Sequence, residues 1–216
     1  AAASEAHYDG YVLLGCVMEG LFADTNRATE RVLTVNGWTI ADAPGQQCCG
    51  ALHAHAGNLD AARDLARANI RAFEASGAAT IAVNAAGCGA MMKEYGVLLA
   101  RDPEYAERAA RISARVRDIS ELLALAGPAR GGEVPLTITY DAPCHLQHAQ
   151  RVTAQPLAVL AAIPGLKLVP LTDSDQCCGA AGIYNLVEPA VSGAVLEPKL
   201  ANIANTGARF VATGNP

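Results

Sequence analysis

The 216-residue sequence is poor in aromatic residues (5%) and in charged residues (17%), and it has no long apolar run. No apolar stretch approaches the roughly 18–20 residues of a membrane-spanning helix; the longest clusters, such as "YVLLGCVM", have the size of a strand. A net charge of −5 argues against nucleic-acid binding, which usually needs a basic patch. The hydrophobic content of 51%, without low-complexity repeats, excludes a disordered chain.

The first residues, "AAASEAHYDG", contain neither an initiator Met nor a basic stretch followed by an apolar one. No secretory signal peptide is therefore visible. We expect a cytoplasmic protein that associates at most peripherally with the inner face of the membrane. We also expect that the sequence is a fragment of a longer chain.

Several catalytic and nucleotide-binding motifs are missing. No Gly-x-Gly-x-x-Gly loop opens any predicted βα unit, and there is neither a Walker-type Gly-Lys-Ser/Thr nor a Gly-x-Ser-x-Gly elbow. We therefore expect that the chain binds no nucleotide and does not itself oxidise an organic substrate.

Cysteine, in contrast, is well represented. The seven cysteines are Cys16, Cys48, Cys49, Cys88, Cys144, Cys177 and Cys178. Two pairs are adjacent in the sequence, and each is followed by glycine, in "GQQCCGALHAHAG" and "DQCCGAAG". In a reducing cytosol this number indicates metal, cluster or redox chemistry more than disulfides.

The sequence alternates β-rich and helical segments, and the pattern occurs twice. We predict strands at 11–16, 38–44 and 79–88 in the first half and at 136–144, 166–171 and 208–216 in the second. We predict helices at 21–37, from Cys48–Cys49 to Gly77, at 102–127, at 148–165, and from Cys177–Cys178 to near Gly207. In the third of these, Asp102 is the predicted cap and Pro103 the first helical position. In the fourth, we predict a split or kink at Pro156. The predicted fold class is α/β, with two duplicated βα halves, each a small parallel sheet flanked by helices.

The boundary is predicted in the linker 127–135, which gives a first half-domain at 1–127 and a second at 128–216. Between Cys16 and Cys48 lie 31 residues, and between Cys144 and Cys177 lie 32. Aligning Gly77 with Gly207 places the partner of Cys88 two residues after Pro216. We therefore expect an eighth cysteine in the natural chain, beyond the given sequence.

Every cysteine lies at or after the end of a predicted strand, and ligands of parallel sheets bind beyond those carboxyl ends. Gly50 and Gly179 would let the backbone approach a bulky group, and a helix start there would supply N–H donors. Core cysteines, disulfides across loops, a zinc site and an iron–sulfur cluster are all open interpretations. A zinc site usually contains Cys-x₂₋₄-Cys pairs, which are missing here, so the repeated thiol set favours a cluster.

The other candidate residues are less specific. His145, next to Cys144, is the best candidate for a histidine ligand or a residue that supports one. We predict that His53, His55 and His148 are surface or capping residues and that Tyr95 covers a helix surface. Trp38 and Phe73 are predicted core residues.

The motifs "LLGCV", "QQCCGALHAHAG", "NAAGCGAMMKEYG", "DAPCHLQHAQ", "DQCCGAAGIYNL" and "ATGNP" cover nearly the whole chain. At these motifs the chain resembles the cysteine-rich CCG domain family of the heterodisulfide reductases. It is still more similar to the iron–sulfur subunit of glycolate oxidase and its lactate-utilisation relatives. Heterodisulfide reductases end each motif with Cys-x-x-Cys, whose first position is Ala85 here, so the glycolate oxidase type fits better.

The resemblance implies [4Fe–4S]-type clusters, with Cys16, Cys48, Cys49 and Cys88 as ligands in the first half and Cys144, Cys177 and Cys178 in the second. It implies an oxidoreductase subunit without flavin that passes electrons from a flavoprotein, which oxidises glycolate or lactate, towards a quinone-type acceptor. It also implies a ferredoxin-like domain or subunit as a further partner. A catalytic subunit of the heterodisulfide reductase type and a zinc-stabilised structural module are the alternatives.

Overall fold

A computed structural model describes residues 8–77, 79–180 and 182–215. The first half contains the strands β1 (Tyr8–Val12), β2 (Trp38–Ile40), β3 (Thr80–Val83) and β4 (Val116–Asp118) and the helices α1 (Val17–Leu21), α2 (Ala23–Val35), α3 (Ala51–His55), α4 (Leu59–Ser76), α5 (Ala86–Lys93), α6 (Tyr95–Leu98), α7 (Ala106–Ser113) and α8 (Ile119–Ala126). The second half contains β5 (Thr137–Asp141), β6 (Lys167–Val169) and β7 (Phe210–Thr213), a π-helical turn at His145–Ala149, and the helices α9 (Ala154–Ala161), α10 (Tyr184–Val187) and α11 (Pro189–Asn205).

The strands form two parallel sheets with corresponding orders. The first sheet has the order β2-β1-β3-β4, and the second has the order β6-β5-β7. Tyr11 pairs with Ile81 in the first sheet, and Thr139 pairs with Val211 in the second. The predicted α/β class, with two duplicated halves, is confirmed.

Helix α4 shows why these residues form these elements. The side chain of Asn58 caps its first turn by accepting a hydrogen bond from the backbone N–H of Ala61 at 3.2 Å. The helix ends at Gly77, whose φ of 83° is the left-handed conformation that glycine adopts readily. Its buried residues, which include Ala62, Ile70 and Phe73, recur at helical spacing, so one face packs on the sheet.

The single helix predicted at 102–127 is wrong. Residues 116–118 form β4, which pairs with β3, and a new helix begins at Ile119. Asp118 caps that helix: it accepts from the N–H of Ser120, while Glu121 accepts from the N–H of Asp118 at 2.8 Å. Asp102 accepts from the N–H groups of two residues in a turn that precedes α7 instead of capping a long helix.

Two predictions in the second half also need correction. Helix α9 begins at Ala154, so Pro156 lies in its first turn, where a missing N–H costs no helical hydrogen bond, and it does not split the helix. The second cysteine pair does not open a helix directly, because α10 starts only at Tyr184. Residues 127–136 contain no helix or strand, and the boundary at 127/128 remains a prediction.

The two halves meet at the carboxyl ends of β3 and β7. Ala86, at the start of α5, donates its N–H to the carbonyl of Gly214 at 2.8 Å and accepts from the side-chain amide of Gln150 at 2.8 Å. Gly87 donates to the side chain of Asn215 at 3.1 Å. The cysteine-bearing edges of the two sheets therefore face each other. Among the helices that the structure describes, none is both long and apolar enough to cross a membrane.

Candidate metal centre

The first half brings four cysteines together from three loops. Cys16 immediately precedes α1 in the loop after β1, and Cys48 and Cys49 lie in the loop between β2 and α3. Cys88 lies in α5, in the segment that follows β3. Because these three parallel strands are neighbours in the sheet, their carboxyl ends place the four side chains in one region, as predicted.

The four thiols lie close together. The Sγ atoms of Cys16 and Cys48 are 3.1 Å apart. Cys48 and Cys88 are both near enough to Cys49 to shift the pKa of its thiol. All seven cysteines are free thiols, so the disulfide interpretation finds no support in the structure.

Close packing of these thiols disfavours their ionisation. Burial raises the pKa of Cys16. The hydrogen bond with Cys49, followed by burial, raises the pKa of Cys48 far above its usual value. The hydrogen bond with Cys48 lowers the pKa of Cys49, but the bond with Cys88 and burial outweigh it and raise that pKa to about 12. Several thiolates can therefore coexist here only beside a positive group that replaces their protons.

Backbone N–H groups point at the paired cysteines. The N–H of Gly50 lies 3.5 Å from the Sγ of Cys48, and the N–H of Ala51 lies 3.5 Å from the Sγ of Cys49. Helix α3 begins at Ala51, directly after Gly50. The single helix predicted from the first pair to Gly77 is wrong, because residues 56–58 separate α3 from α4. Hydrogen bonds to ligating sulfur atoms are one of the factors that set the potential of an iron–sulfur cluster.

A buried polar network holds the first CCG loop, residues 46–50. The side chain of Asn69 accepts from the N–H of Gln47 at 2.7 Å and donates to the carbonyl of Cys48 at 3.0 Å. It also donates to the hydroxyl of Tyr95 at 3.0 Å, and Tyr95 donates to the carbonyl of Cys49 at 2.8 Å. The side chain of Gln46 accepts from the N–H of Leu14, which joins this loop to the Cys16 loop.

Sequence reasoning missed this network. The prediction that Tyr95 covers a helix surface is wrong, because the residue is fully buried, and burial raises its pKa strongly. No local signal marks Asn69, since a polar residue inside an amphipathic helix ordinarily faces solvent. Trp38 and Phe73 are buried, as predicted.

The second half holds three cysteines in the corresponding places. Cys144 precedes the π-helical turn after β5, and Cys177 and Cys178 lie in the second CCG loop, residues 175–179, after β6. Burial and the nearby Cys177 and Cys178 raise the pKa of Cys144. The N–H of Gly179 lies 3.3 Å from the Sγ of Cys177, as at Gly50 in the first half. The second pair is the more open, since Cys177 is exposed and Cys178 is half-buried, whereas their counterparts Cys48 and Cys49 are half-buried and buried.

His145 lies at the seam between the two sites. Its Nδ1 is 4.0 Å from the Sγ of Cys144, and its ring stacks on that of His55, with centroids 5.5 Å apart. Burial and then the nearby His55 lower the pKa of His145, while Glu94 opposes the shift. His55 is an exposed residue of α3, and His53 and His148 are exposed as well.

The two glycines of the CCG loops have the same geometry. Gly50 and Gly179 have φ angles of 88° and 78°, which disfavour any L-residue with a side chain. A Cβ atom at Gly50 would lie 3.3 Å from the backbone of Ala62, and one at Gly179 would lie 2.5 Å from the carbonyl oxygen of Ser192. The missing side chains therefore face α4 and α11, so each glycine lets its loop pack on the following helix. Clearance for a bound group at these positions remains a prediction.

The thiols fit an iron–sulfur cluster in chemical type. Within 8–77, 79–180 and 182–215, no three His, Cys, Asp or Glu side chains surround a point that would hold a single metal ion. The 3.1 Å between the sulfur atoms of Cys16 and Cys48 is shorter than the ~3.8 Å expected for two thiolates on one tetrahedral zinc ion. Binding of any group therefore requires these side chains to spread apart. A set of four thiols with N–H donors beside it suits a cluster.

Comparison with known proteins agrees with this donor set. A family model described as "Cysteine-rich domain" (CCG) matches residues 11–93 and 138–216. The "Probable glycolate oxidase iron-sulfur subunit" of Bacillus subtilis (strain 168) is 39% identical over 205 residues, which cover 94% of this chain and 46% of the relative. The "Glycolate oxidase iron-sulfur subunit" of Escherichia coli (strain K12) is 35% identical over 210 residues, which cover 94% of this chain and 51% of the relative.

A third relative is the "Lactate utilization protein A" of Shouchella clausii (strain KSM-K16), which is 28% identical over 195 residues, covering 89% of this chain and 81% of the relative. The chain spans about half the length of the two glycolate oxidase subunits. The matches confirm the resemblance seen in the cysteine motifs. With one matching segment in each half, the chain belongs to the cysteine-rich CCG domain family.

Proposed function

We propose that this chain is an iron–sulfur electron-transfer domain of a flavin-dependent 2-hydroxy-acid dehydrogenase of the glycolate or lactate type. The observation that supports it most directly is the convergence of four thiols from three loops at the carboxyl edge of a parallel sheet, repeated with three thiols in the second half. Two relatives are named as iron–sulfur subunits of glycolate oxidase, which agrees with this role.

The proposed ligands are the seven predicted cysteines. Cys16, Cys48, Cys49 and Cys88 would hold a [4Fe–4S]-type cluster in the first half, and Cys144, Cys177 and Cys178 would hold a group in the second. When bound, an iron–sulfur cluster accepts and releases one electron at a time. The chain's own residues supply the thiolates, the N–H groups of Gly50, Ala51 and Gly179, and the polar network around Asn69 that fixes the first loop.

The proposed partners follow from this role. A flavoprotein subunit would oxidise the 2-hydroxy acid and deliver electrons, and a ferredoxin-like domain or subunit would carry further clusters. A quinone-type molecule would be the final acceptor. The cytoplasmic location expected from the sequence remains a prediction.

Anaerobic reconstitution tests the proposal. We expect iron and sulfide in the purified chain, no zinc, and an EPR signal after reduction. Cys16→Ala should remove the signal of the first half, because it deletes one of four thiolates at an accessible position. Leu21→Ala, which truncates an exposed side chain on the short helix α1 that follows Cys16, is the matched control and should keep the signal.

Two results would count against the proposal. Zinc without iron would favour the zinc-stabilised structural module. Clusters that remain oxidised when the flavoprotein and its 2-hydroxy acid are added would contradict the glycolate-type assignment, while leaving the cluster itself established.

A further inference from the structure

The second half contains a buried ion pair beside its CCG loop. Lys199, in α11, is only 3% exposed, and its Nζ donates to the carboxylate of Asp141. The same Nζ lies 3.4 Å from the carbonyl oxygen of Ser174. Burying an ammonium group is costly unless it is paired and hydrogen-bonded, so this lysine is held by specific contacts.

The two partners of Lys199 lie just before the two cysteine-bearing loops of this half. Asp141 is the last residue of β5 and lies three residues before Cys144. Ser174 lies three residues before Cys177. One side chain from α11 therefore ties the end of β5 to the start of the second CCG loop.

The first half has a counterpart at the same position. Aligning Gly77 with Gly207 pairs Ala62 with Ser192, and these residues face Gly50 and Gly179 respectively, so the alignment agrees with the packing. The same alignment pairs Asn69 with Lys199. Asn69 binds the N–H of Gln47 and the carbonyl of Cys48, so both residues anchor a CCG loop from the following helix.

The difference between the two anchors is charge. Asn69 is neutral, whereas Lys199 carries a positive charge that water screens only weakly, because the side chain is buried. One-electron reduction of a cluster adds one negative charge to it. The positive charge of Lys199, which contacts the backbone of Ser174 just before the loop, favours that reduction, and the negative charge of Asp141 opposes it.

We propose that Lys199 is a positioning residue of the second thiol site: it ties the two cysteine-bearing loops together, and its charge raises the reduction potential of a cluster held by Cys144, Cys177 and Cys178. This inference rests on the proposed function. The proposed charge effect applies to the second half alone, since Asn69, which anchors the first CCG loop, carries no charge.

The test is a mediated redox titration of the reconstituted chain, with its flavoprotein partner where that copurifies, followed by EPR. Cys16→Ala provides the background in which the remaining signal belongs to the second half. In that background, Lys199→Met should lower the midpoint potential of the signal, and Asp141→Asn should raise it, because each removes the opposite charge. A purely structural role would not shift the potential in opposite directions.

Three further variants make the test decisive. Lys199→Arg keeps the charge and should have the same potential as the chain with Lys199. The double variant Lys199→Met with Asp141→Asn leaves no unpaired charge, so it can be measured if a single variant fails to fold. Its potential should lie between those of the single variants. Lys167→Met removes an exposed lysine of β6 in the same half and should leave the potential unchanged.

Equal potentials in all variants would overturn the inference while leaving the proposed function intact. A second half that takes up no iron while the first half does would also overturn it, since Lys199 would then have no cluster to position. Failure of both halves to take up iron would instead refute the proposed function.

Discussion

The two halves of the molecule share one strand order and one cysteine pattern, but they differ in how their sheets are covered. In the first half, the chain after β3 returns as α5, α6 and α7, adds β4 to the sheet and ends in α8. Ile70 and Ile81 are fully buried there, whereas their counterparts Leu200 and Val211 are 53% and 44% exposed. The same arrangement of cysteine loops therefore occurs once on a buried sheet and once on a sheet that is partly exposed.

The geometry of the CCG loops does not depend on how well the sheet is covered. Gly50 and Gly179 adopt the same left-handed conformation and meet the following helix at corresponding positions in both halves. What changes is the burial of the paired thiols, since Cys49 belongs to the main core cluster whereas its counterpart Cys178 is only half-buried.

The largest expected effect comes from the core of the first half. Ile70→Ala should lower the free energy of unfolding by about 2–5 kcal/mol, because it leaves a cavity in a fully buried position. The matched change Leu200→Ala should cost at most about 0.5 kcal/mol, because that side chain is already exposed. Urea unfolding, followed by the fluorescence of the single, buried Trp38 and by circular dichroism, measures both. Equal losses would show that the two helices are equally covered in solution.

A smaller effect is expected at the loop glycines. Gly179→Ala should destabilise the protein more than Gly50→Ala, because its Cβ would come within 2.5 Å of a carbonyl oxygen rather than 3.3 Å from backbone atoms. The left-handed conformation alone costs an alanine about 1–2 kcal/mol. Gly45→Ala, with a φ of 87° but no atom within 4 Å of its Cβ, measures that cost by itself. In thermal melting, Gly179→Ala should lower Tm most, Gly50→Ala less and Gly45→Ala least. The reverse order would contradict the packing role of Gly179 and Gly50.

The smallest expected effect is a pH dependence that comes from one carboxylate of the first half. The hydrogen bond from Arg67 lowers the pKa of Asp102 below its ordinary value of 3.8, helped by the N–H groups of Tyr105 and Glu104. The folded state therefore gains stability above pH 3.8 and loses it as the pH falls below that value, through the lowered pKa. Asp102→Asn should flatten this acid loss in urea titrations between about pH 2 and 5.

Glu107→Gln, which removes an exposed carboxylate 3.8 Å from Arg111, is the control for the loss of one negative charge. If both variants flatten the acid profile equally, the effect belongs to net charge and not to the Arg67–Asp102 pair.

Much of the fold could be predicted because the signals were local. Short apolar runs ended before each cysteine loop, and the repeated cysteine spacing indicated two corresponding halves. Strand β4 was missed because Val116 continues the helical spacing of Ala109 and Ile112, although the Asp118-x-x-Glu121 capping box was a visible sign of a new helix start. The residues that hold the loops, Asn69 and Lys199, gave no local signal, because their roles depend on contacts between distant parts of the chain.

The edge strand β7 has a consequence for the behaviour of the polypeptide in solution. Among the described strands it pairs with β5 alone, and the side chains of Phe210 and Val211, which point to opposite faces of the sheet, are 47% and 44% exposed. An uncovered parallel edge with apolar side chains can accept a strand from another molecule. We therefore expect that any self-association of this polypeptide involves the β7 edge of the second half.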